Sequence, residues 1–304
     1  MLKVDEIPAF DTAALGSTAR SPLAVGRRTY HSLLLQAEGL GAGGAGTVDV
    51  RNAIEYVELF QSGKSKMLIK PGIHIHFLEH LNVTADPLPA NFLHIPLSQP
   101  GILESDWATG DMESFQIAVK LKSAAGLPAG ATFTRVRGWA TYEDLAAPVA
   151  RGNVFTQSVV TPNTPVAGWN TIDNLTVGDL SALRRLLFQC PAAGTATYST
   201  TAQAISQVKV SIAGSVVFNM TRAAAEAQLA YNAFHKWPSA AYGFPVFLDL
   251  TNQVADLSPV VFGNVRQPVK VEYFWDTTVF AVAPVDILVN GLELGSSRPI
   301  VAAQ

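Results

Sequence analysis

Four of the six histidines of this chain stand in one region: His74-Ile-His76-Phe-Leu-Glu79-His80, with His94 further on. Imidazole with a carboxylate is the ordinary ligand set for zinc, iron or manganese. His74, His76 and Glu79, with His94, are therefore the candidate metal ligands. On a strand His74 and His76 would share a face while Glu79 would point away, and the competing reading is a polar or interfacial cluster. A second motif, Gly41-Ala-Gly43-Gly-Ala-Gly46, matches G-x-G-x-x-G. It binds dinucleotides only where a helix follows directly and an acidic residue comes about 20 residues later. Here Val48, Val50 and Ile54 follow, so it reads as a flexible hairpin loop. Cys190 is alone and cannot form an internal disulfide; it reads as a buried small residue and not as a reactive thiol. There is no nucleophile elbow, P-loop or paired-cysteine motif. Lys64, Lys66 and Lys70 make at most a solvated loop, and no basic tract is interleaved with aromatics, which argues against direct nucleic-acid packaging.

The elements that must position these residues are organised by an internal repeat. Gly16–Gln36 returns as Gly168–Gln189: Gly16 and Gly168, Leu23 and Leu175, Val25 and Val177, and Gly26 and Gly178 are each 152 positions apart. Leu33, Leu34 and Gln36 meet Leu186, Leu187 and Gln189 at 153. Self-similarity at a fixed offset outranks a local motif as a guide to architecture. Short apolar or alternating runs lie at Thr29–Leu35, Ile54–Phe60, Phe92–Leu97, Phe115–Leu121 and Thr132–Tyr142, separated by Gly, Pro, Asn and Asp. In Phe115, Ile117, Val119 and Leu121 every second residue is apolar, which is strand periodicity. The second half repeats the order: Leu183–Phe188, then Val208, Val210 and Ile212 running into Gly214 as Val57 and Leu59 run into Gly63, then Phe247–Leu250, then Val269, Val271 and Tyr273. Such strands separated by turn chemistry indicate antiparallel sandwiches and not a βαβ fold. Each half also holds one helical segment, Ala223–Phe234 and the shorter Ile73–Asn82 after Pro71.

The expected division is an N-terminal arm at 1–15, a first unit at 16–150, an extended connection at 151–167 rich in proline and small residues, and a second unit at 168–304. The arm carries Ile7 and Phe10, which could dock on a neighbour. Charged residues are only 15% and the net charge is −3, too little charge for a soluble monomer to cover itself, so much of the exterior is expected to face other protein. No stretch reaches 18 apolar residues and no signal peptide is evident, so the chain is expected to stay in the cytoplasm. Without secretion, the Asn-x-Thr sites at Asn82, Asn174 and Asn219 carry no glycosylation meaning. Trp107, Trp139, Trp169, Trp237 and Trp275 are spread along both units, which suits cores and contacts better than a stacking platform.

Three blocks carry a resemblance across most of the chain: EIPAFDTAALGSTARSPLAVGRRTYHSLLL; LPANFLHIPL followed by WATGDMESFQIAVKL; and GWNTIDNLTVGDLSALRRLLF with VKVSIAGSVVFNM. The sequence resembles the double jelly-roll major capsid proteins of tailless, membrane-containing bacteriophages, the corticovirus type above all. The resemblance implies an all-β fold of two tandem eight-stranded antiparallel jelly rolls with short helices in loops. It further implies a homotrimer forming a pseudo-hexameric capsomer beside neighbouring capsomers, with minor capsid, vertex and membrane proteins as partners. It also implies an icosahedral shell over an internal lipid bilayer, in a virion assembled in the host cytoplasm. On this reading there is no catalytic residue, bound metal or cofactor. The alternative comes from the His-x-His and Glu79, which resemble the cupin signature at a shorter spacing than cupins use; that implies a two-domain cupin-like metalloenzyme using the His74/His76/Glu79 cluster. A carbohydrate-binding sandwich is a third reading, with no residue here to single it out.

Overall fold

The computed structural model describes residues 2–11, 14–80, 88–98, 107–149, 154–162, 164–175, 182–191, 198–199, 204–230, 246–249, 260–261, 268–277 and 284–293. It divides into two compact units. The first comprises Met1–Pro71, Pro87–Gln157 and Leu292–Gln304; the second comprises Gly72–Asp86 and Ser158–Gly291.

The first unit is built from β1 (Leu2–Glu6), β2 (Thr18–Leu23), β3 (Arg28–Glu38), a short α1 (Val50–Ala53), β4 (Ile54–Gln61), β5 (Lys64–Ile69), then, after α2 (Pro71–His80), β6 (Phe92–Pro96), β7 (Trp107–Ala108), β8 (Phe115–Leu121) and β9 (Arg135–Asp144). One sheet runs β1-β9-β3-β6, with β7 pairing β3 further along the same strand, and a second runs β2-β8-β4-β5. Counting β6 and β7 as one interrupted strand, that is four strands in each sheet. The alternation read in β8 holds: Phe115, Ile117, Val119 and Leu121 are buried while Gln116 and Lys120 are only partly covered. Opposite them β3 buries Leu33, Leu35 and Ala37, and β9 buries Val136, Ala140 and Tyr142. At one end Tyr30 meets Phe115 edge-on at 5.3 Å between ring centroids, Trp107 lies 5.1 Å from the same ring, and the Tyr30 hydroxyl donates to the Ala24 carbonyl at 2.9 Å.

The second unit follows the same programme with β10 (Val154–Val160), β11 (Gly168–Ile172), β12 (Ala182–Pro191), β13 (Tyr198–Ser199), β14 (Ile205–Ile212), β15 (Ser215–Thr221), α3 (Arg222–Ala230), β16 (Val246–Asp249), β17 (Val260–Val261), β18 (Val269–Trp275) and β19 (Asp286–Glu293). One sheet runs β11-β18-β14-β15. In the other, β12 is flanked by β19, with β10 beyond it, and β17, β16 and β13 succeed one another along β12. The core between them holds Leu186, Phe188, Val208, Val210, Val271, Tyr273, Trp275, Ile287 and Val289.

The repeat extends to the backbone. Gln61-Ser62-Gly63-Lys64 and Ile212-Ala213-Gly214-Ser215 are both two-residue hairpins, with φ of 47° and 76° in the first and 49° and 82° in the second. Positive φ at both central residues is what a type I′ turn requires, and that turn matches the strand twist. Each hairpin then carries a one-residue bulge three positions past its glycine, at Lys66 between the Ser65 and Met67 pairings and at Val217 between those of Val216 and Phe218.

Three expectations change. Leu2–Glu6, read as part of an arm, is a strand paired along its whole length with β9; Ile7 is buried on its own unit, its N–H donating to the Gly138 carbonyl at 3.0 Å. Pro8 ends this strand and does not prevent it, because the chain has already passed its last pairing. Val154–Val160, inside the stretch expected as an extended connection, is also a strand. Lys64–Ile69 is β5 and not a solvated loop; the Lys66 stem is covered because its ammonium meets Glu293 at 2.7 Å.

Candidate functional site

The histidine motif folds as a helix. Pro71 supplies the fixed φ of a first turn, and the following residues form α2 through His80. Two residues on a helix are about 200° apart, so His74 and His76 leave on opposite sides. Both are buried, and both belong to the second unit, whereas His94 sits on β6 in the first, where burial depresses its pKa. The side chain of Glu79 lies outside the described residues, as do His235, Asn82 and Trp237. Among the described residues no group of three or more His, Cys, Asp or Glu side chains is arranged to hold a metal ion. The helical period sends His74 and His76 to opposite sides of α2, where on a strand they would have shared a face, and His94 belongs to the other unit.

The glycine run is a loop cap. Gly43, Gly44 and Gly46 have positive φ, the Gly43 N–H donates to the Ala129 carbonyl at 2.9 Å, and Leu40 bridges Thr47. Only the four-residue α1 follows, with Asp49 capping it through the Arg51 N–H at 2.8 Å. Its amides therefore serve the loop and not a phosphate. Cys190 is buried and its pKa is pushed up to about 12 by loss of solvation, which leaves it a thiol at neutral pH.

What the surface does hold is an ionic clasp over β1. The Lys3 ammonium donates to Asp144 at 2.6 Å, Arg28 donates to the same carboxylate at 3.1 Å, and Arg137 grips Glu6 in a two-pronged pair at 2.8 Å. Arg135 donates to Glu38 at 2.6 Å, the Tyr142 hydroxyl donates to Asp5, and the Arg28 and Arg137 guanidinium groups lie 4.2 and 5.1 Å over the Tyr142 and Trp139 rings. The hydrogen bond from Lys3 holds Asp144 below the usual carboxylate range, and those from Arg137 and Arg135 do the same for Glu6 and Glu38. Asp144 in turn raises Lys3. Depressed carboxylates contribute stability above their unfolded values and lose it as pH falls through the folded ones, whereas the raised lysine contributes below its ordinary range and loses it as pH rises. The clasp is therefore whole between those limits. Hydrogen exchange of the Leu2–Glu6 amides is expected to accelerate relative to β3 when pH is lowered from 7 to 3, or when salt is raised to screen these exposed pairs; equal protection at both pH values would contradict this.

Large apolar side chains are also exposed at Leu2, Val4, Val25, Leu40, Leu88, Val149, Val166, Trp169, Val216 and Val217.

No protein-family model matches the chain, and no curated protein matches it. Among solved structures, the major capsid protein P2 from Bacteriophage PM2 superposes with a TM-score of 0.66 at 13% identity, covering 99% of this chain and 100% of that one. The STIV MCP gives 0.65 at 10% identity with both chains fully covered. The chain has the double jelly-roll fold. The Faustovirus major capsid protein shares it at a TM-score of 0.59 and 8% identity, over 97% of this chain and 90% of that one. In this double jelly roll the eight strand positions of each half, expected from the resemblance, are the ones observed. Neither the short edge strands nor the clasp over β1 was singled out in the sequence; the signal for the clasp was the charged Lys3, Asp5 and Glu6 of β1, matched by Arg135, Arg137 and Asp144 of β9.

Proposed function

We propose that this chain is the major structural subunit of a viral capsid and acts by self-association, without catalysis. The observation that carries the reading is full-length correspondence of one chain to two successive jelly rolls, as in the capsid proteins above. Two similar units per chain let three chains present six similar sandwiches, so a homotrimer imitates a hexamer and tiles an icosahedral shell beside neighbouring capsomers. Low charge and exposed apolar residues support lateral contact. The shell is placed over an internal lipid bilayer, where minor capsid, vertex and membrane proteins complete the virion and the subunit makes no direct contact with nucleic acid. None of the described helices is long and apolar enough to cross a membrane, which fits a subunit resting above lipid.

Size-exclusion chromatography with light scattering, followed by negative-stain electron microscopy, tests this. Trimers or larger assemblies with a six-lobed outline are the expected result. A well-folded monomer at high concentration, or stoichiometric transition metal in protein purified without chelator, would overturn it.

A further inference from the structure

The two hairpins that share a turn and a bulge end differently. In the first unit β5 has a neighbour: Gln157, the end of that unit's Pro87–Gln157 segment, pairs in parallel with Met67, and the bulged Lys66 is paired with Glu293 of the same unit, the two side chains only 7% and 12% exposed. In the second unit β15 ends its sheet among the described residues, and five of its seven residues are exposed, Val216 at 54% and the bulged Val217 at 41%. Free edges in soluble proteins are blunted by charge, proline or brevity. Ser215–Thr221 is seven residues long and has neither a charge nor a proline. It is an edge built to be paired.

A strand suited to it exists in the same chain. β10 lies beside β19 as β1 lies beside β9, so the two hold the same place in their respective sheets. β1 is exposed at all five residues, and Leu2 and Val4 stand at 56% and 63%. Its charged side chains are already engaged within the subunit, Lys3 with Asp144, Asp5 with Tyr142 and Glu6 with Arg137. What remains on offer is backbone and two aliphatic groups. Where β5 has Lys66 at the bulge, β15 has Val217: an ion pair inside the chain is replaced by an apolar group facing an apolar strand.

We propose that β15 is the seat of β1 from a second copy of this chain, running parallel to it as β10 runs along β5. The proposal rests on the shell reading above and deepens it by naming the strands that join sister subunits. Such a head-to-tail contact uses different surfaces on the two partners and, at the threefold rotation of the proposed trimer, closes into a ring.

Three measurements decide it. Native protein should self-associate. Val217→Arg should raise the concentration for half-dissociation at least about 10-fold, equivalent to about 1.4 kcal/mol, with circular dichroism and melting temperature unchanged. Oxidation of a Val4→Cys, Val216→Cys double variant, or of the same design at Leu2 or Val217, should link two and three chains covalently; Cys190 is buried and does not interfere. If native protein assembles but Val217→Arg assembles equally well and none of the cysteine pairs links chains, this proposal is wrong and the shell reading stands. A monomeric native protein removes both. Should Val217→Arg fail to fold, hydrogen exchange on the native assembly decides instead: protection across Ser215–Thr221 supports the pairing, and exchange typical of an open edge overturns it.

Discussion

Trp275→Ala is expected to destabilise the second unit by about 3–5 kcal/mol, the range for removing a large aromatic from a packed core. The side chain is fully buried in the cluster formed with Val208, Val210, Tyr273 and Ile287, and its strand pairs on both sides, with β11 through Gly168 and with β14 through Ile205. Among the described residues the indole N–H has no hydrogen-bond acceptor. Trp275→Phe therefore gives up an unmade donor as well as some volume, and should cost clearly less than the alanine variant. Urea titrations followed by circular dichroism compare the three proteins; equal midpoints for the alanine variant and the native protein would show that this core is not packed as described.

The second large effect is at Gly138. A Cβ there would come within 2.7 Å of Ile7 Cδ1 and 3.1 Å of Leu35 Cδ2. Leu35 is a core residue of β3 with no room to retreat, so the displaced group is Ile7. Gly138→Leu is expected to cost about 1–3 kcal/mol, the usual range for overpacking, and to loosen β1 selectively because Ile7 is the apolar anchor at the end of that strand. Hydrogen exchange should show Leu2–Ile7 losing protection while β8 keeps its own. The companion Ile7→Ala, which opens space above the glycine, should recover part of the loss when combined with Gly138→Leu. If the double variant is no more stable than Gly138→Leu alone, the contact between Ile7 and position 138 is not the cause.

Strands whose two faces have different surroundings were plain in the sequence. β8 was read with its bounds as found, and β3, β4, β14 and β18 within a few residues, because one face is core and the other is not, which writes period two into the residues. β1, β5 and β15 were not read as strands. β1 and β15 end their sheets among the described residues, and β5 has only the Gln157 pairing beyond it; β1 exposes all five residues and β15 turns only Phe218 and Met220 toward the core, so little forces those two strands to alternate. The helical segment expected after Pro71 is present as α2, and it is what separates the histidine pair, since His-x-His shares one face only where the backbone is extended. The correspondence of β5 with β15 and of β1 with β10 was legible only once the two halves could be compared strand by strand.

The division of the chain carries a last consequence. Because Gly72–Asp86 is counted with the second unit and Leu292–Gln304 with the first, no single cut at the midpoint yields two intact lobes. A fragment cut after Gln157 would leave the first unit without Glu293, the partner of the covered Lys66 ammonium, and so with a buried cation stripped of that carboxylate.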